Sequence, residues 1–324
     1  MSKYRIRYFS SFCSSQTCKE HAELVYETHK LENYGIDKEI YITADNNFTH
    51  AIIINTGVNN ILQIKKENTI GLAFEPCNYL GLTTNFILYV RENISKYYIG
   101  SDSNILGEPF IERFGFIWHT PPLLCPPIKQ NATQMSIMVS QKKEAPGHKY
   151  RHVLAQKILE QNLPIHIFGR GCHEYVMPPP PQQQALPFVF NLQRRNINSA
   201  NSLPKTTTIN QNIKGEFAEK EPYETYNFHI AIENFQTPHY FSEKIINTLL
   251  CETTPIYLGC TNIDHYFPNM VVAMCGQADQ DIELIKQILR NPAEYKKVID
   301  VDAVKRQTNL LLNLDKIFGE TIEM

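Results

Sequence analysis

No charge of one sign dominates this 324-residue chain: 31 Lys and Arg face 33 Asp and Glu, a formal net charge of −2. A global basic field that would draw a polyanion is therefore missing, and no nucleic-acid partner is expected. Long hydrophobic runs are missing as well. The longest, such as Ala51–Asn55 and Val271–Cys275, are of strand length, far short of the ~20 residues that span a bilayer. Met1 to Ser15 holds Lys3, Arg5 and Arg7 but no apolar stretch of signal-peptide length, so an untargeted, cytoplasmic chain without a transmembrane segment is expected. The eight cysteines form no C-x-x-C pair and the eleven histidines no H-E-x-x-H. Both common zinc patterns are thus missing, and buried reduced thiols are expected. Nor is there a Gly-x-Gly-x-x-Gly or a P-loop, which leaves a dehydrogenase or a P-loop kinase unsupported.

What is present is 43% hydrophobic and 20% charged residues, enough to fill one or two cores, and a length that favours two domains over one. Short β-like runs alternate with helical stretches. Lys3–Phe9, Glu39–Ile42, His50–Asn55, Ile70–Phe74 and Lys96–Ile99 read as strands, and His21–Leu31 and Phe86–Ser95 as helices. The Pro-rich segment His119-Thr-Pro-Pro-Leu-Leu-Cys-Pro-Pro127 cannot be regular structure and reads as a linker near 119–134.

A second α/β pattern follows: a strand at Ser136–Ser140, a helix at Tyr150–Gln161 and a strand at Pro164–Phe168. A polar, Pro- and Gln-rich insert at about 173–212 is assigned no structure. Further strands are expected at Phe228–Ile232 and Thr254–Gly259, with a helix at Pro238–Cys251 between them, capped by Thr237-Pro238. Asp281–Leu289 and Val304–Phe318 read as helices. The expected architecture is α/β, two Rossmann-like units around a cleft, with boundaries at 1–125 and 126–300 and a C-terminal helix in 301–324.

The segment richest in chemistry is Tyr226-Asn-Phe-His-Ile-Ala-Ile-Glu233-Asn234, followed by Phe-Gln-Thr-Pro-His-Tyr240-Phe-Ser-Glu243-Lys244. Glu233 and Asn234 close a strand, and Tyr240, Glu243 and Lys244 are placed in the first turns of the next helix. In a parallel sheet that edge faces the ligand crevice. A helix N-terminus with a lysine beside it suits a phosphate or diphosphate, and Glu243 suits a sugar hydroxyl. Taken alone, Glu243-Lys244 is a weak signal, because such a pair at a helix start is most commonly a solvated ion pair. Asp279-Gln-Asp281 and Asp300-Val-Asp302 have the shape of a metal motif but fall in or beside helices, and read as solvated carboxylates.

In its wider context the segment resembles the motif of the α-1,3-fucosyltransferases, glycosyltransferase family 10: an aromatic-rich strand, Glu-Asn, a short loop, then Tyr-x-x-Glu-Lys. Thr254-Pro-Ile-Tyr-Leu-Gly259 and Tyr266-Phe-Pro268 continue the resemblance. Upstream, Ser136–Ser140, Arg151 and Phe168-Gly169-Arg170 follow the family's order, and Ile70-Gly-Leu-Ala-Phe-Glu75-Pro76 resembles its Gly-Glu region, with Phe74 where the family has a small residue.

The resemblance implies a GT-B fold and inverting transfer of L-fucose from GDP-fucose to a hydroxyl of a glycan acceptor. It implies an acceptor-binding first unit and a donor-binding second unit. Glu75 takes the role of general base. Arg151, Arg170, Glu233, Asn234, Tyr240, Glu243 and Lys244 take the donor, their cations standing in for a metal, so no cofactor is expected. A related enzyme using another nucleotide sugar, or an inactive nucleotide-sugar or glycan-binding protein, are the other readings. The missing membrane anchor suits a bacterial-type or viral enzyme.

Overall fold

The computed structural model describes residues 3–29, 32–60, 64–100, 106–116, 135–174, 210–218 and 220–319. The linker at 119–134 and most of the insert at 173–212 lie outside them. The described strands form two six-stranded sheets in which every pairing is parallel. The first sheet has the order β2-β1-β3-β4-β5-β6. Its strands are β1 (Tyr4–Ser10), β2 (Ile40–Ile42), β3 (His50–Ile54), β4 (Thr69–Leu72), β5 (Lys96–Ile99) and β6 (Phe110–Glu112). The second has the order β12-β11-β10-β7-β8-β9. It is built from β7 (Met135–Met138), β8 (Ile165–Phe168), β9 (Ile213–Gly215), β10 (Phe228–Ile232), β11 (Thr254–Leu258) and β12 (Val272–Ala273).

Counted from β7, the second sheet runs 3-2-1-4-5-6 from β9 to β12, the doubly wound order, with its reversal between β7 and β10. The first sheet reverses between β1 and β3. Parallel strands covered on both faces read as short continuous apolar runs. All five residues of β10 and of β11 are buried, so the alternation of His229 and Ala231 with their neighbours marks two buried faces. His229 is held by Ser136 Oγ at 2.8 Å, and burial pushes its imidazole down to about 3; it is a core residue.

The long helices are α1 (Ser15–His29), α2 (Thr84–Asn93), α3 (Pro146–Glu160), α4 (Glu243–Leu250), α5 (Ala278–Arg290), α6 (Val301–Thr308) and α7 (Leu314–Gly319). Several expectations need correction. The helix expected from Pro238 begins at Glu243. Its N-cap is Ser242, whose hydroxyl accepts from the Lys244 amide. Residues 237–242 are loop, with His239 at φ 60, a conformation that no helix contains. Tyr240 therefore precedes the helix and does not lie on it.

The single helix expected at Val304–Phe318 is two, α6 and α7, divided at Asn309. Asp281 is not solvated: it is buried and accepts the amides of Cys275 and Gly276, both at 2.9 Å, and the Tyr150 hydroxyl. Of the seven described cysteines, Cys275 is exposed, whereas Cys18, Cys172, Cys251 and Cys260 are buried thiols. No helix among the described residues is long and apolar enough to cross a membrane.

The chain crosses between the sheets more than once. Phe114, just beyond β6, stacks on Phe241 at 3.8 Å and donates its amide to the Tyr266 hydroxyl. At the other end, α6 places Val304 in the cluster of Phe241 and Ile245, while Leu310, Leu311, Leu314 and Ile317 enter the core of the first sheet beside Tyr4 and Ile6. Asp315 accepts from both Lys3 and Tyr4. The C-terminal segment is thus part of the first sheet's core. Ile317→Ala is expected to cost roughly 2–5 kcal/mol. In hydrogen exchange it is expected to expose β1 and β2 before β10 and β11.

Candidate active site

The reversal points of the two sheets face one cavity of about 760 Å³. From the first sheet it is lined by Ser11 and Phe12 after β1, Asn55 after β3, and Phe74 and Glu75 after β4. From the second come Val139 and Ser140 after β7, Gly169 and Arg170 after β8, Asn234 after β10, and the start of α4. These are carboxyl ends of parallel strands at the points where strand order reverses, where α/β proteins hold ligands.

Glu233 is the anchor. It is 1% exposed at the end of β10, and its carboxylate accepts the Ser242 amide at 2.9 Å and the Ser242 hydroxyl at 2.6 Å. Lys244 Nζ lies 3.7 Å from it and 3.1 Å from Glu243 Oε1. Burial pulls the Lys244 ammonium down, but Glu243 and Glu233 together outweigh burial and leave it raised, so it stays charged. Burial lifts the Glu233 carboxyl, and Lys244 opposes the lift. Glu233 itself is absent from the cavity wall; it holds the residues that form that wall.

Helix α3 approaches the same point. A Cβ on Gly147 would lie 1.8 Å from the Glu233 carbonyl oxygen, and the Gly147 amide donates to Asn234 O at 3.0 Å. This contact brings Arg151, one turn on, to Asn234 Oδ1 at 2.8 Å, while its Nε donates to Gly147 O. Arg151 is 6% exposed, and among the described residues no carboxylate comes within ion-pair distance. Burial lowers its pKa against the pull of Glu233 and Glu243. A buried guanidinium without a contacting counter-charge costs several kcal/mol, which an anionic ligand would offset.

Across the cavity, Tyr240 donates to Glu75 Oε2 at 3.1 Å. Burial lifts the Glu75 carboxyl above its ordinary range, and the Tyr240 hydrogen bond and Lys244 hold the rise down. The structure therefore places Glu75, Arg151, Arg170, Asn234, Tyr240, Glu243 and Lys244 in one cavity wall, and Glu233 behind it. Three further residues were not anticipated: Ser242, Asn55 and His148. Asn55 sits at φ 52 and is 8% exposed, its Oδ1 accepting the Phe74 amide. Pro146 at the first helical position was the available signal for His148, because it moves the helix start back from Tyr150. Among the described residues no group of three His, Cys, Asp or Glu could hold a metal ion.

Residues 128–300, more than half of the chain, match the family model described as glycosyltransferase family 10 (fucosyltransferase), C-terminal part. The chain belongs to glycosyltransferase family 10. It is 30% identical over 113 residues to a protein of Acanthamoeba polyphaga mimivirus named as an inferred fucosyltransferase, covering 31% of this chain and 18% of that one. It is 24% identical over 157 residues to a fucosyltransferase-like protein of Arabidopsis thaliana, covering 44% and 31%. The chain thus spans less than a third of either relative. The crystal structure of an alpha1,3-fucosyltransferase with GDP-fucose superposes with TM-score 0.50 at 15% identity, covering 98% of this chain and 91% of that one. This is a likeness of fold, and the two facing parallel sheets are the GT-B arrangement.

In this family 10 chain, Gly147→Ala is expected to force α3 off Glu233 and destabilise the fold by about 1–3 kcal/mol, read by urea denaturation.

Proposed function

We propose that the chain is an inverting fucosyltransferase that moves L-fucose from GDP-fucose to a hydroxyl of a glycan acceptor. The observation that carries this is the pairing across one cavity of a buried, anion-seeking cluster, Arg151 with Lys244 at the α4 start, and a raised carboxylate, Glu75. The diphosphate lies against the cluster in this reading, so the second sheet takes the donor and the first sheet the acceptor. Glu243 takes a hydroxyl of the nucleotide's ribose, and Asn234 holds Arg151 in place. Arg170, exposed on the rim, adds a second guanidinium.

The reaction is an in-line displacement. Glu75 removes the acceptor's hydroxyl proton, the freed oxygen bonds to the anomeric carbon, and the carbon–phosphate oxygen bond breaks on the opposite face. The electron pair leaves with the diphosphate, whose growing charge Arg151, Lys244 and the α4 N-terminus stabilise. Two fixed cations and a helix end supply the electrostatics that a divalent metal supplies elsewhere. A base of raised pKa suits this step, because it removes a proton more readily once ionised.

Donor turnover over a panel of GDP-, UDP- and dTDP-sugars tests the reading. GDP-fucose is the expected donor; preferred turnover of another sugar nucleotide would reassign the donor within the same chemistry, and no turnover or nucleotide binding would remove the enzyme reading. Arg151→Ala and Lys244→Ala are each expected to weaken GDP binding roughly ten- to a hundredfold, the scale of a lost charged hydrogen bond. Glu75→Gln is expected to spare GDP binding and reduce transfer about 10²- to 10⁴-fold.

The pH profile carries a sign. Transfer needs the Glu75 carboxylate, so its rate falls as pH drops through that group's pKa, above the ordinary carboxylate range. Tyr240→Phe removes the hydrogen bond that holds this pKa down, so the acid limb of kcat/KM is expected to move to higher pH. A limb that stayed in place would detach Glu75 from proton removal.

A further inference from the structure

His148 is not explained by the helix it opens. It occupies the third position of α3, and its Nδ1 accepts the amide proton of the N-cap residue Ala145 at 3.2 Å. A ring nitrogen that accepts a hydrogen bond carries no proton, so the neutral ring holds its proton on Nε2. The ring is 6% exposed and lies in the cavity wall, yet among the described residues Nε2 has no partner. Ser140, two residues beyond β7 and also in the cavity lining, has a buried Oγ without a hydrogen-bond partner. A buried donor left unpaired costs about 1–3 kcal/mol. An Nε2–H without a protein partner in the cavity wall, on the same helix as a guanidinium that lacks a contacting carboxylate, points to a ligand rich in oxygen acceptors.

We propose that His148 is a positioning residue for the donor's diphosphate, its Nε2–H donating to a phosphate oxygen beside Arg151. This rests on the donor reading above. The environment favours the neutral ring. Burial acts first, then Arg151, and Lys244 and Lys142 act the same way, while Glu144, whose Oε2 is 3.5 Å from Nδ1, acts in the opposite direction. A neutral donor has a chemical advantage here. It fixes the direction of a phosphate oxygen without a further full charge, which would hold the nucleoside diphosphate product after the sugar has left. Arg151 and Lys244 supply attraction, and His148 supplies orientation.

The test uses the full chain, with GDP and inorganic pyrophosphate as probes. In calorimetry His148→Ala is expected to weaken both about tenfold or more, the scale of one hydrogen bond to a charged acceptor. His148→Gln, whose amide N–H₂ reaches toward the Nε2 position, is expected to recover most of that loss. His148→Asn, which reaches only as far as Nδ1, is not. Equal affinity in His148→Ala would overturn the proposal. So would a loss that Gln fails to recover, because a purely capping role would show that pattern.

A second readout needs no variant. In the ¹⁵N-histidine-labelled wild type, His148 is expected as the Nε2–H tautomer at neutral pH, with the Nε2 proton shifting downfield as GDP is added. An Nδ1–H tautomer or an unmoved resonance at saturating GDP would overturn the proposal while leaving the donor reading in place. A wild type that binds neither GDP nor pyrophosphate would remove both.

Discussion

A carboxylate buried at the end of the central strand β10 sets the geometry of everything around it. Ionised groups are removed from water only at a cost of several kcal/mol unless hydrogen-bonded or paired. Glu233 meets that condition with the amide and hydroxyl of Ser242 and the nearby ammonium of Lys244. In doing so it fixes where α4 begins and turns its first residues to the cavity. The same residue explains two glycines on other elements. Gly147 lets α3 touch its carbonyl, and a Cβ on Gly259, after β11, would fall 2.4 Å from its Cγ. Four elements converge because one side chain must be enclosed.

Charge balance then decides what the cavity can hold. Lys244 is shared between Glu233 and Glu243, so its charge is largely answered within the protein. Arg151 is different, because its hydrogen-bond partners are neutral amide and carbonyl oxygens. The near-neutral total of the chain conceals this, since a net charge of −2 averages over the whole surface while binding depends on a few ångströms. A diphosphate needs only two or three cations in the right place, and burial makes each of them count for more.

Much of this was legible in the residues. The buried strands announced themselves as short apolar runs, and β5 was read residue for residue as Lys96–Ile99. The strand end carrying Glu233 and Asn234 was legible for the same reason. What failed has identifiable causes. The edge strands β6, β9 and β12 hold three, three and two residues, too few to show a period. The start of α4 was placed five residues too early. Thr237-Pro238 fits local preference, but Ser242 wins because the buried Glu233 carboxylate demands its two donors, a tertiary constraint no local pattern contains. Asp281 looked like a surface acid for a similar reason: the amides that justify its burial, at Cys275 and Gly276, become donors only when the chain turns there. His148 was hidden by placing the α3 start at Tyr150, one turn too late.

The two sides of the cavity are not independent. Tyr240 lies in the loop tied to Glu233 through Ser242, and the same Tyr240 hydroxyl donates to Glu75 from the first sheet. Phe241, the next residue, stacks on Phe114 of the first sheet's chain. A shift of the α4 loop would therefore change the position of Lys244 and the hydrogen bonding of the proposed base together. Packed aromatic contacts have few alternative arrangements, so such a shift would be a step between discrete states. The position of Lys244 and the hydrogen bonding of Glu75 are thus set by one short loop.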